Sequence, residues 1–212
     1  MIINNNAYWN KYYKTSKLIH SPSNFAKYIN KKFLKKGDIV LDVASGNGRD
    51  SFFFSNYVKF VYGIDKAKIV TIMNTKKAKT LNIKNLIFKT IPSQKMKKFR
   101  KKVTFIYARF FIHAIREKTE NIFLNDIDKY FGKNIKVALE FRTIEDSLMN
   151  KGKKISKNET FYTHYRRFID LKVFEKKIKE KNFKILYKKK GINLSKNLNE
   201  NPYLCRLIIQ KC

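Results

Sequence analysis

At 212 residues, 43% hydrophobic and 15% aromatic, the chain can bury the core of one α/β-sized domain without staples. Its formal charge of +32 is carried by forty Lys and eight Arg alongside 25 Ile and 21 Asn, the profile of a genome that favours A and T codons, so the charge alone selects neither nucleic acid nor an anionic membrane. Two cysteines, Cys205 and Cys212, exclude a disulfide framework and a cysteine metal site, and the longest apolar stretch, 105–115, is broken by Arg109 and His113 and is too short for a membrane span.

The start, MIINNNAYWN, lacks the cationic and apolar segments of a secretory signal, so a cytoplasmic location is expected. AYWNKYY and FAKYINKKFL predict two N-terminal helices within residues 1–36, the second capped by Ser21 or Ser23. Residues 39–43 (IVLDV) form a β-branched apolar run, the mark of a strand buried on both faces of a parallel sheet. A two-glycine turn and a helix follow. Strands are then expected at 60–64, 86–91, 104–107 and 135–141, with helices at 66–80 and 117–131 and a last long helix that contains 174–181. Residues 183–188 and 203–210 are joined without helical pattern and should pair antiparallel at the sheet edge. The expected fold is a doubly wound, mostly parallel seven-stranded α/β sheet with helices on both faces, a C-terminal antiparallel hairpin, and a ligand at the carboxyl ends of its strands. With no linker and no repeat, one domain is expected over 1–212.

The first strand runs into LDVASGNGRDS. Ala44, Gly46 and Gly48 fall on alternate positions, where a backbone must turn tightly and approach a ligand, and Asp65 closes the second strand, placed to accept from both hydroxyls of a ribose. An adenosine-containing ligand is implied. A pyrophosphate favours a third glycine and a loop without acids, whereas this loop has Ser51 in that slot and acids at Asp42 and Asp50. S-adenosylmethionine carries a cationic amino group and sulfonium, for which acids are an asset.

The stretch resembles motif I of the class I S-adenosylmethionine-dependent methyltransferases, D-x-G/A-x-G-x-G, and GNGRDS is similar to the loop of their small, single-domain, tellurite-resistance-like members. The resemblance implies a Rossmann-like methyltransferase fold with S-adenosylmethionine as cofactor. It assigns cofactor contacts to Asp42, Ala44, Ser45, Gly46, Asn47, Gly48 and Asp65, and to Arg109 in YARFFIHAI, which is similar to the segment after the family's fourth strand. Where the family places an acid near the end of its third strand, this chain has 91–94 (IPSQ), with Ser93 or Gln94 to substitute.

Methyl transfer from a sulfonium is an in-line displacement that chiefly needs alignment and exclusion of water, and a base helps where the acceptor is a hydroxyl. His113 and His164 are the candidate bases, with packing or capping the alternative for His113. Arg109 and His113 would share one face if their segment is helical. Residues 142–168 are far longer than an ordinary αβ connection, and long insertions of this kind commonly bind substrate. Arginine is scarce here, so its use marks a need for a planar, bidentate donor. Arg142, Tyr165, Arg166 and Arg167 are therefore candidate substrate contacts for a phosphate, carboxylate or acidic sugar. Arginines that dock the insertion onto Glu140, Glu145 or Asp146 are the alternative. Trp9, Tyr12 and Tyr13 could cover the methionine part of the cofactor or pack as core.

The function that follows is a methyltransferase acting on a small anionic metabolite or a sugar hydroxyl. RNA methylation through the basic surface ranks second, since no RNA-binding module and no N/D-P-P-Y/F motif is present. A silent S-adenosylmethionine-binding protein ranks third. No membrane partner is expected.

Overall fold

The computed structural model describes residues 5–16, 18–196 and 200–212. Two helices lead, α1 (Asn5–Thr15) and α2 (Asn24–Lys32), followed by β1 (Ile39–Val43), α3 (Arg49–Phe54), β2 (Phe60–Asp65), α4 (Lys68–Thr80), β3 (Leu86–Thr90) and β4 (Phe105–Arg109). Then come α5 (Glu117–Tyr130), β5 (Lys136–Arg142), three short strands β6 (Lys153–Ser156), β7 (Glu159–Phe161) and β8 (Tyr165–Arg167), α6 (Leu171–Glu180), β9 (Phe183–Gly191) and β10 (Leu204–Lys211). The main sheet has the order β3-β2-β1-β4-β5-β10-β9. β10 runs antiparallel to β5 and β9, and the pairs β1–β2, β1–β4 and β2–β3 are parallel. The doubly wound sheet with its terminal antiparallel pair is the one expected from the alternation of apolar runs and helical patterns.

Two compact units divide the chain between Tyr107 and Ala108. In residues 1–107, β1 is buried from Val40 onward because its neighbours on both sides are strands, and Leu41, Val61, Ile64 and Ile106 are closed to solvent. From β1 the chain steps outward to β2 and β3 and returns to lay β4 on the other side of β1, so the strand order reverses at β1 and opens a crevice at its carboxyl end. Ser23 settles the cap of α2: its hydroxyl accepts from the Ala26 amide at 3.0 Å.

In residues 108–212 the structure settles three points that the sequence left open. Residues 109–113 do not form a helix: Arg109 ends β4, Phe110 turns at φ 55, and His113 lies in a 3₁₀ turn at Ile112–Ala114, so Arg109 and His113 share no helical face. The insertion, for which the sequence predicted no strands, carries β6, β7 and β8, which pair antiparallel into a small sheet of their own. The last helix is ten residues long, started by Asp170, whose carboxylate accepts from the amides of Lys172 and Val173.

Candidate functional site

The loop leaving β1 carries the strongest local signal within residues 1–107. Ala44, Gly46 and Gly48 all take left-handed backbone, at φ 58, 53 and 72. This conformation costs a residue with a Cβ roughly 1–2 kcal/mol, so Ala44 bears a strain that a glycine in that slot would avoid. A Cβ on Gly48 would stand 2.7 Å from the Phe88 ring, and one on Gly46 would stand 2.6 Å from the Tyr13 hydroxyl. Glycine is thus required by conformation and by close approach together.

Asp65 ends β2 and is 8% exposed. One carboxylate oxygen accepts from the Gly46 amide at 3.0 Å and the other from the Ala67 amide at 2.8 Å, which ties the loop to the second strand. Burial raises its pKa, while the two amides act in the opposite direction by favouring the charged form. Each oxygen retains a further lone-pair direction, so the group can still accept from a ribose diol. Ser45 Oγ is buried in the same loop without a hydrogen-bond partner. The Asn74 amide donates to the Gly46 carbonyl at 2.7 Å, and the Asn47 amide reaches the Ile19 carbonyl at 2.7 Å. These residues fit an adenosyl ligand: a cradle only glycine permits, a clamped acid for the ribose, and a polar atom left without a partner.

Asp42 and Asp50 surround the start of α3. Ser51, in the slot where a dinucleotide fingerprint has its third glycine, donates to Asp42 at 2.5 Å. Asp50 accepts from the Ser23 amide and hydroxyl and from the Tyr107 hydroxyl, at 2.7–2.8 Å, so it fastens α2 to α3 and its oxygens face that network. Both acids are buried. A helix start that holds two carboxylates repels a pyrophosphate and suits a cation. Tyr13, from α1, lies on the loop against Gly46 and stacks on Trp9 with centroids 6.0 Å apart. Burial and the nearby Asp65 raise the Tyr13 pKa, so its phenol stays a proton donor. Ser93 and Gln94 bond one another at 3.3 Å at the head of the turn after β3.

Residues 108–212 hold the other candidates, and most of them have internal partners. Arg109 donates to Glu140 at 2.8 Å and to Ser195 at 2.7 Å, and Arg206, which the sequence did not single out, meets the other Glu140 oxygen at 2.6 Å. Arg142 grips both oxygens of Asp146 at 2.9–3.0 Å and also meets Glu200. Arg167 pairs with Glu120 and reaches the carbonyls of Ile112 and Ile115. Tyr165 donates to Glu159 at 2.5 Å beneath the Arg116 guanidinium.

Three further candidates of this unit are buried: His113, His164 and Arg166. His113, 5% exposed, accepts from the Arg142 amide at its Nδ1, 3.2 Å away, so a neutral ring carries its hydrogen on Nε2. Burial, then Arg142 and Arg166, push its pKa well below the ordinary value. His164 meets the Thr163 hydroxyl at 3.1 Å, and burial followed by Arg166 and Arg142 lowers its pKa to about 3. Arg166 is buried on β8, directly across the ladder from Thr160 of β7.

The family model for protein-L-isoaspartate (D-aspartate) O-methyltransferase matches residues 3–95, which include the whole loop and Asp65. No curated protein matches the chain. Its structure is similar to that of an S-adenosylmethionine-dependent methyltransferase from Methanosarcina mazei, at 14% identity and a TM-score of 0.74 over 86% of this chain and 96% of that one. A second such enzyme, from Anabaena variabilis, gives 17% identity and 0.72 over 98% and 93%. A protein from Pyrococcus horikoshii gives 15% and 0.73 over 95% and 99%.

Proposed function

From the class I S-adenosylmethionine-dependent methyltransferase fold that this chain has, we propose that it is an enzyme that moves a methyl group from S-adenosylmethionine to a small anionic metabolite. The observation that carries the cofactor assignment is the loop after β1, left-handed at three alternate positions and locked by its Gly46 amide to the carboxylate that ends β2. Gly46 and Gly48 admit the ligand backbone-close, Asp65 takes the ribose, and the negative field of Asp42 and Asp65 favours a ligand with cationic groups. Tyr13 and Trp9 close the loop from the α1 side. Arg109 is left out of the cofactor set because Glu140 and Ser195 occupy its guanidinium. The narrower likeness to tellurite-resistance enzymes rests on GNGRDS alone.

The cofactor supplies an electrophilic methyl on a sulfonium, and an acceptor oxygen forms its bond to carbon as the sulfur–carbon bond breaks. The two histidines favour an acceptor that is already ionised. His113 offers only a hydrogen on its second nitrogen, and a group with a pKa of about 3 is a weak base, so neither suits removal of a hydroxyl proton. A carboxylate needs no base, and no proton moves during the transfer. On this reading an anionic metabolite ranks ahead of a sugar hydroxyl.

Calorimetry with S-adenosylhomocysteine tests the assignment. The full chain should bind it more tightly than NAD, Asp65→Ala should weaken binding by about 1–3 kcal/mol through lost hydrogen bonds to a charged group, and Gly46→Val should abolish it. Preference for NAD overturns the cofactor assignment.

A further inference from the structure

On the S-adenosylmethionine reading, we infer that Asn74 is a positioning residue for the cofactor's methionine tail: from α4 it clamps the Gly46–Asn47 peptide so that the Asn47 amide is presented to the tail's carboxylate. Asn74 is 4% exposed, on the face of α4 that also buries Val70, Thr71 and Ala78. Asparagine is a poor choice for a helix interior, because its side chain competes with the backbone for hydrogen bonds, so a buried one calls for a partner outside the helix. It has one. Its Nδ2 donates to the Gly46 carbonyl at 2.7 Å. The same nitrogen stands 3.0 Å from where a Cβ on Gly48 would lie, so Asn74 packs against both glycines of the loop. One turn earlier, Thr71 meets Thr90, the last residue of β3, hydroxyl to hydroxyl at 2.5 Å, which fixes α4 to the sheet.

The two peptides that flank Gly46 are held from different elements. The Ser45–Gly46 peptide is held through its N–H by Asp65 at 3.0 Å, and the Gly46–Asn47 peptide through its C=O by Asn74. Gly46 sits at φ 53 and has no Cβ, so nothing of its own resists rotation of the second peptide, and a side chain from another element has to do so. In a planar trans peptide the N–H points opposite to the C=O, so a carbonyl drawn toward α4 turns the Asn47 N–H away from that helix. No described residue accepts from this N–H. Such a donor selects the accepting end of the ligand. The cationic amino group and sulfonium suit the acids Asp42 and Asp65, the ribose hydroxyls suit Asp65, and the carboxylate remains for the amide. Loss of Asn74 frees the second peptide while Asp65 still holds the first, so the tail loses a contact that the adenosyl half does not depend on.

Methylthioadenosine, which has the adenosyl group and the thioether but lacks the amino acid tail, separates positioning of the tail from general support of the loop. By calorimetry on the full chain, Asn74→Ala, which removes the donor without adding bulk against Gly48, should weaken S-adenosylhomocysteine at least tenfold and methylthioadenosine by less than twofold. Asn74→Asp has nearly the same shape and as a carboxylate cannot donate to a carbonyl, so it should behave alike. Urea unfolding of each variant checks that it is folded, and Asn74→Asp stands in if Asn74→Ala is not. Equal weakening of both ligands would make Asn74 a support of the loop as a whole, and unchanged binding of both would make its bond to Gly46 idle; either result overturns the inference. So does an unsubstituted chain that binds the two ligands equally well, since the tail would then contribute nothing. An unsubstituted chain that binds neither ligand overturns the cofactor assignment itself, before any variant is compared, so the two failures are separable.

Discussion

Several of the scarce arginines in this lysine-rich chain serve internal pairing. Arg109 and Arg206 share the fully buried Glu140, one Arg142 nitrogen meets both oxygens of Asp146, and Arg167 meets the fully buried Glu120. Spacing along a chain cannot tell a guanidinium aimed at a ligand from one aimed at a carboxylate thirty or fifty residues away, so the sequence left these alternatives open. The histidines show the same limit, since their burial beside arginines is a property of packing. That burial has a measurable consequence. In the unfolded chain a histidine takes a proton near pH 6.5, whereas folded His164 stays neutral down to about 3, and His113 is displaced in the same direction. Between those values the unfolded state binds more protons, so stability is full above pH 6.5 and falls as the pH drops toward 3, by up to about 1.4 kcal/mol per unit for each histidine. Urea unfolding of His164→Gln at pH 7, 6, 5 and 4 should show a flatter acid limb than the unsubstituted protein. Parallel limbs would contradict the shift.

At the scale of elements, β1, the glycine loop and the acid ending β2 were legible because each is set by local chemistry: a β-branched run buried on both faces, backbone positions with positive φ, and an acid at a strand end. The doubly wound class of the sheet followed from the alternation of strands and helices. The small sheet β6–β8 was not legible, because KKIS, ETF and YRR are too short and too polar for a period-2 signal. What fastens this sheet is Arg167. Its partner Glu120 lies on α5 with no solvent access, and Lys177 of α6 reaches the other Glu120 oxygen at 2.7 Å. Removing the guanidinium leaves a buried carboxylate with one of its two cations, a loss at the lower end of the range for breaking a buried pair, about 3 kcal/mol. Arg167→Ala should therefore lower the unfolding midpoint sharply, and Glu120→Gln in the same chain should recover part of the loss. If Arg167→Ala instead left stability unchanged and raised only the acceptor KM, the residue would belong to substrate recognition and not to the scaffold.

For the whole molecule, the question is whether +32 has a purpose. Lysines pair with acids only sparingly, as Lys188 with Glu175 and Lys190 with Glu145 do at exposed positions where such contacts contribute little. The run at 95–102 follows β3, and its five lysines, Lys95, Lys97, Lys98, Lys101 and Lys102, are all exposed. Lys153, Lys154 and Lys157 are likewise exposed on the insertion. A surface of this kind attracts any polyanion through phosphate charge alone, and such binding carries no sequence information. If about six phosphates of a single strand were neutralised, the logarithm of affinity would fall with the logarithm of salt at a slope of roughly −4, so raising salt from about 50 to 200 mM should weaken binding some 300-fold. Filter binding with two RNA oligonucleotides of equal length and unrelated sequence should give superimposable curves at each salt concentration. A preference between the two that persists at the higher salt would mean that bases are being read, and it would move the acceptor from an anionic metabolite to RNA.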